Sequence, residues 1–199
     1  MAVDPKLSPD DAVVVFADLQ TGILDLPMTR PATTLMRSAQ GLARLAEIFD
    51  IPTIALCIPK RAGETPVISE EITGTRTKLR QIQRFTPDSF QNREFVDALE
   101  KTGRKTLVLS GVATEVAVHW LTVSGIANGY QAYVVADACG GVGEVSEAAA
   151  YRRFEQAGAV MTSVVSLASE FSGNLDMTKS PGKDAVEVIY QIILGEKIR

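Results

Sequence analysis

Three stretches of the chain put reactive residue types where a ligand would meet them. The first is Asp18-Leu19-Gln20, directly after the apolar run Ala12 to Ala17 (AVVVFA). An ionised carboxylate at the end of a buried strand is costly unless paired or hydrogen-bonded, and such surroundings shift its pKa toward acid–base use. The same residues also fit a cap or turn for the loop at Thr21-Gly22. The second stretch is Ser110 to Ala117 (SGVATEVA), where a strand passes through small residues straight into a helix. Backbone N–H groups without intrahelical partners gather at such a start, with Thr114 as N-cap, and bind anions or oxyanions. Position 117 falls in the first helical turn, where a cysteine would have its thiolate favoured by the helix dipole. It holds alanine, which has no chemistry. Taken alone, this segment reads first as an ordinary helix start packing small residues on a sheet.

The third stretch is Gly140-Gly141-Val142-Gly143, between a strand and a helix. It only approximates the dinucleotide fingerprint, because Ser146 stands at the third glycine position and no acidic residue follows at a strand end about 20 residues on. Single candidates carry less. Arg84 beside Phe85 fits a solvated or ion-paired arginine. His119 reads as a surface or interface residue, and Trp120 as core or interface beside Val116 and Val123. Cys57 and Cys139 read as inert, buried thiols in or after strands.

The elements that must position these residues alternate. Strands are predicted at 12–17, 53–58, 81–85, 106–110, 131–136 and 159–163. Helices are predicted at 31–49, 89–102, 114–128, 144–156 and 185–194. Residues 59–77 read as a polar excursion over one edge. Alternating strands and helices predict an α/β fold, a three-layer sandwich whose mostly parallel five- or six-stranded sheet is flanked by helices, Rossmann-like in outline. In such sheets ligands bind beyond the carboxyl ends of the strands, which is where Asp18, Arg84 and 110–117 fall.

Composition narrows the class. The 199 residues are 46% hydrophobic and 22% charged, and a net charge of -4 offers no basic surplus for nucleic acid. No apolar run approaches the roughly 18 residues that span a bilayer. Met1 to Asp11 is polar with two prolines and reads as neither signal nor transit peptide. Two cysteines make no disulfide framework, so a cytoplasmic location is expected. One histidine rules out a multi-histidine metal site within one chain. A single domain over 1–199 is expected.

In combination these pieces resemble the isochorismatase-like cysteine hydrolase superfamily. The matching residues are Asp18 with Gln20, Arg84 upstream of Ser89-Phe90, then Gly111-Val112-Ala113-Thr114-Glu115-Val116-Ala117-Val118. Gly129-Tyr130 and Val134-Val135-Ala136-Asp137-Ala138-Cys139 follow in the expected order. Within the superfamily the chain resembles the YcaC-like branch, through GVATEVAV and Ala157-Gly158-Ala159 before Met161-Thr162.

The resemblance implies a triad of Asp, a basic residue and Cys. Asp18 would be the general acid/base, Arg84 the basic member, and the cysteine position falls on Ala117. It also implies a cis Val112-Ala113 peptide, oxyanion donors at the amides of Ala113 and Ala117, and a site lined by Thr114, Gln20 and Phe85. The expected reaction is hydrolysis of an amide or lactam C–N bond in a small molecule, without cofactor or metal. With alanine at 117 the chain reads as a Cys-to-Ala variant, inactive in acyl transfer. Two alternatives stay open: a vinyl-ether hydrolase that uses Asp18 without a cysteine, and a non-catalytic small-molecule binder. No nucleic-acid or membrane partner is expected. A homo-oligomer is, tetramer or octamer, with residues 180–199 at a subunit interface.

Overall fold

The structure is a computed structural model that describes residues 7–59, 63–74 and 79–196. Its elements run β1 (Ala12–Ala17), α1 (Ala32–Ile48), β2 (Thr53–Cys57), α2 (Glu70–Thr73), β3 (Leu79–Gln83), α3 (Arg93–Thr102) and β4 (Thr106–Val112). Then follow α4 (His119–Ala127), β5 (Gln131–Gly140), α5 (Glu144–Ala157), β6 (Val160–Thr162), α6 (Val164–Ser172) and α7 (Gly182–Leu194).

The six strands pair in the order β3-β2-β1-β4-β5-β6, all parallel. Strand β1 therefore has β2 on one side and β4 on the other, and the winding of the chain reverses between β1 and β4. That gap is the switch point at which parallel sheets open a crevice. All residues of β1 are buried, as a central strand covered on both faces requires.

Side chains alternate along β1 and so divide the core in two. Val14 and Phe16 pack with α1, α6 and α7, through Leu35, Leu42, Leu45, Leu167, Phe171 and Val188. Val13, Val15 and Ala17 pack on the other face with α3, α4 and α5, through Phe95, Leu99, Leu121 and Phe154. This is the three-layer α/β sandwich expected, with six strands. Among the described residues no helix is long and apolar enough to cross a membrane.

Several boundaries differ from expectation. Strand β3 ends at Gln83, so Arg84 lies just past it. Strand β5 continues to Gly140 because a register shift against β4 between Leu109 and Gly111 lets the pairing resume at Gly111–Cys139. Asp137 and Cys139 thus belong to the sheet. Helix α6 is an addition to the expected elements: the last predicted strand ends at Ser163, and Ser163 caps the helix by accepting from the Ser166 N–H. The excursion after β2 is partly structured, with Gln20 bridging Ile68 and Ile72 of α2 fully buried. Residues 60–62 and 75–77 of that excursion lie outside the described residues.

Candidate active site

Strand β2 brings the two charged candidates together. The Asp18 N–H donates to Leu56 O at 2.9 Å, and the Arg84 N–H to Cys57 O at 2.8 Å. Both residues thereby sit over the carboxyl end of β2, although they are 66 positions apart. Their side chains meet there in a two-pronged pair. Arg84 Nε donates to Asp18 Oδ1 at 3.2 Å, and Nη2 donates to Oδ2. Nη1 donates to Thr86 O at 2.8 Å, which uses the third guanidinium edge. Both side chains are buried, at 4% and 3% exposure. A guanidinium fork suits this arrangement better than an ammonium, because it reaches both carboxylate oxygens and a carbonyl at once.

Asp18 itself has φ +55°, a left-handed conformation that Asp tolerates better than most residues. Such outliers concentrate at functional sites. Burial raises the carboxyl above its ordinary value of 3.8, and the hydrogen bond and charge of Arg84 pull it back only in part. Asp18 is thus a carboxyl that keeps a proton more readily than a solvated one, as acid–base work requires.

Across the switch point, β4 lies against β1 with Ala17 opposite Gly111. Gly111 has φ +147°, and a Cβ there would come within 2.2 Å of Ala17 O, so only glycine lets the strands approach this closely. The Val112-Ala113 peptide is cis. Residues Thr114–Val118 then form a single π turn before α4. It is closed by Val118 N–H to Ala113 O at 3.4 Å, with Val116 N–H on the same carbonyl at 3.0 Å. Such turns widen a helix locally and recur at functional sites. Ala117, 1% exposed, points into the layer that holds Val15 and Ala17.

The remaining candidates are placed differently. The Gln20 amide pairs with the backbone of Ile58: its Nε2 donates to Ile58 O, and its Oε1 accepts from the Ile58 N–H, each at 2.9 Å. It holds the loop rather than presenting a free amide. Thr114 is buried, and its hydroxyl donates to Glu147. Phe85 is 74% exposed, at the rim. His119, expected at the surface or an interface, is buried within the chain against Phe154 and Trp120, and burial with the charge of Arg153 lowers its pKa. Cys57 and Cys139 are free and buried, and burial raises both thiols, Cys139 to about 12. Two amides of the glycine loop are already used within the protein: the Gly141 N–H donates to Thr29 Oγ1 at 3.0 Å and the Val142 N–H to the Glu115 carboxylate at 3.1 Å.

Glu147 went unnoticed in the sequence. Its neighbours on the helix, Ala150 and Phe154, are three and seven residues on and both buried, so the spacing places Glu147 on the inner face.

The Isochorismatase domain profile matches residues 12–166, most of the chain. The chain belongs to the isochorismatase family. It is 31% identical over 166 residues to the probable hydrolase YcaC of Escherichia coli strain K12, covering 83% of this chain and 79% of that protein. The structure of YcaC from Pseudomonas aeruginosa, solved with hexane-2,5-diol and covalent acrylamide, superposes with TM-score 0.83 at 27% identity. That match covers 98% of this chain and 94% of the other. The E. coli YcaC gene product, described as an octameric hydrolase of unknown specificity, also gives TM-score 0.83, at 26% identity over 97% and 91% of the two chains. These matches support membership of the YcaC-like branch.

Proposed function

We propose that this chain carries a cysteine-hydrolase site for a small amide or lactam in which Ala117 occupies the nucleophile's position. The observation that carries the reading is the buried Asp18–Arg84 pair just past β1, at the switch point beside the end of β4 that leads into the turn holding residue 117. A thiol at 117 would lose its proton to Asp18, and the thiolate would add to the substrate carbonyl. The amides of Ala113 and Ala117 would hold the oxyanion, and Asp18 would return the proton to the departing amine as the C–N bond breaks. Asp18 would then take a proton from a water as that water attacks the acyl-enzyme, and would give it to the thiolate released when the C–S bond breaks. Alanine removes the nucleophile, and with it the acyl-enzyme, but leaves the acid–base residue and the oxyanion donors, so the chain is a Cys-to-Ala counterpart of an active hydrolase. The reading needs neither cofactor nor metal. The family match and the relatives named hydrolases support it.

One observation favours a second reading, the vinyl-ether hydrolase: burial leaves Asp18 better able to hold a proton, which suits acid catalysis without a nucleophile. Ala117→Cys separates the two. Under the first reading the variant gains turnover on a panel of small amides and lactams, and Asp18→Asn removes that gain. If the unchanged chain turns over a vinyl ether and Ala117→Cys adds nothing, the second reading holds. A chain that turns over nothing in either form yet binds a member of the panel is a binder.

We also place the protein in the cytoplasm as a homo-oligomer. Support comes from two unpaired buried cysteines and from the octameric relative. Tyr190, Ile193 and Leu194 of α7 are 55%, 65% and 64% exposed, an apolar stripe suited to a subunit contact.

A further inference from the structure

Helix α5 carries a carboxylate to which the reaction assigns no work. Glu147 is 7% exposed, and its Oε1 accepts from Thr114 Oγ1 at 2.8 Å and from the Tyr151 hydroxyl at 2.9 Å. Neither partner is a cation, and Glu147 makes no ion pair among the described residues. A buried carboxylate held by hydroxyls alone is expensive, even when the positive end of its own helix offsets part of the cost. Its surroundings are set to keep those hydroxyls as donors. Burial raises the Tyr151 phenol and the nearby Cys139 thiol, and the Glu147 charge adds to both effects.

Thr114 opens the π turn, and the next residue is fastened to the same helix from outside. Glu115 Oε1 accepts from the Val142 N–H at 3.1 Å and from Ser146 Oγ at 2.5 Å. The two ties close around Gly141, where a Cβ would lie 2.6 Å from Glu147 Cβ and 2.9 Å from Glu115 Oε2.

We propose that Glu147 is a positioning residue: through Thr114 Oγ1 it fixes the turn that carries residue 117 and the amides of Ala113 and Ala117. It acts through Thr114 and reaches no reacting atom itself. The use of that turn in catalysis rests on the hydrolase reading above; the clamp itself does not.

The test uses a thiol at 117 as reporter. In an Ala117→Cys background, iodoacetamide alkylation of that thiol is followed by mass spectrometry from mildly acidic to mildly basic pH. The second substitutions are Thr114→Val, Glu147→Ala, Glu147→Gln and Gly141→Ala. Thr114→Val and Glu147→Ala should each slow alkylation near neutral pH by at least about tenfold, the effect of losing one buried hydrogen bond. Glu147→Gln keeps an acceptor for Thr114 and should recover most of the rate. Gly141→Ala should behave like Thr114→Val, because its methyl displaces Glu147.

Charge alone predicts the reverse for Glu147→Ala, since removing a nearby negative charge favours the thiolate. Faster labelling in that variant therefore overturns the proposal. So does a lowered Tm with an unmoved pH profile, which is what mere scaffolding would give. If the reporter thiol alone behaves as an ordinary cysteine, the hydrolase reading fails first. Amide hydrogen exchange of residues 113–118 in the chain without the reporter then decides the clamp. Thr114→Val should speed that exchange at least about tenfold. Unchanged exchange overturns the clamp as well.

Discussion

Asp18 and Arg84 illustrate how a buried pair ties stability to pH. Burial raises Asp18 above its ordinary 3.8, so the folded protein holds that proton to higher pH than the unfolded chain does. The contribution to stability is therefore complete at low pH and is lost as pH rises from 3.8 toward the raised value. Arg84→Met removes the partner that limits the rise, which widens this window. It should cost about 3–5 kcal/mol at neutral pH, as breaking a buried pair does. The cost should be smaller near pH 4, where the lone carboxyl protonates. Urea unfolding at the two pH values checks this, and a pH-independent loss would contradict it. The cysteines give a second expectation at the same scale. Neither Cys57 nor Cys139 should be alkylated in the native protein near pH 8, and both should label fully once unfolded; native labelling of Cys139, whose thiol is pushed up to about 12, would be inconsistent with its burial.

Much of this was legible in the residues themselves. An aspartate after six apolar residues marked the end of a strand, with acid–base use and a turn cap both open. The arginine's role depended on pairing across a third strand, which no local pattern shows. The Gln20 amide was legible as polar but not as a substitute for strand backbone. Glu147 shares its helical spacing with Ala150 and Phe154, but a carboxylate in a first turn carries no local sign that it is buried.

At the scale of elements, the site depends on how closely β4 approaches β1. Gly111 sits at φ +147° with no room for a methyl against Ala17. Gly111→Ala should separate the strand ends and cost about 4 kcal/mol or more, the upper range for single substitutions. Its unfolding midpoint checks this, and a loss below about 1 kcal/mol would mean the strands can part freely. The central strands were readable because valine-rich runs between polar residues have one simple solution. Helix α6 was not, since Val164-Val165 follows a strand with only Ser163 as separator. The π turn was likewise invisible, because a helix with one extra residue per turn leaves the same periodic pattern over so short a span. The longer β5 came from a register shift that only the neighbouring strand determines.

For the molecule as a whole, the reversal of winding between β1 and β4 explains why the segments that follow these two strands, far apart in sequence, lie side by side at one end of the sheet. The sheet also leaves α7 on an outer layer with Tyr190, Ile193 and Leu194 exposed. If that stripe joins subunits, Ile193→Asp should lower the sedimenting mass without loss of helix content by circular dichroism. A native protein that sediments as a single species of 21.4 kDa would contradict the assembly altogether.

The proposed site is one shaped for a thiolate at residue 117. The most direct measurement is the pH dependence of alkylation of the thiol in Ala117→Cys, with and without Asp18→Asn, using Cys57 and Cys139 as internal controls. The expected result is an apparent pKa below about 7, against about 8.5 for a free cysteine, and a profile that changes when Asp18 becomes asparagine. A thiol that titrates as an ordinary cysteine, whatever stands at position 18, would contradict it.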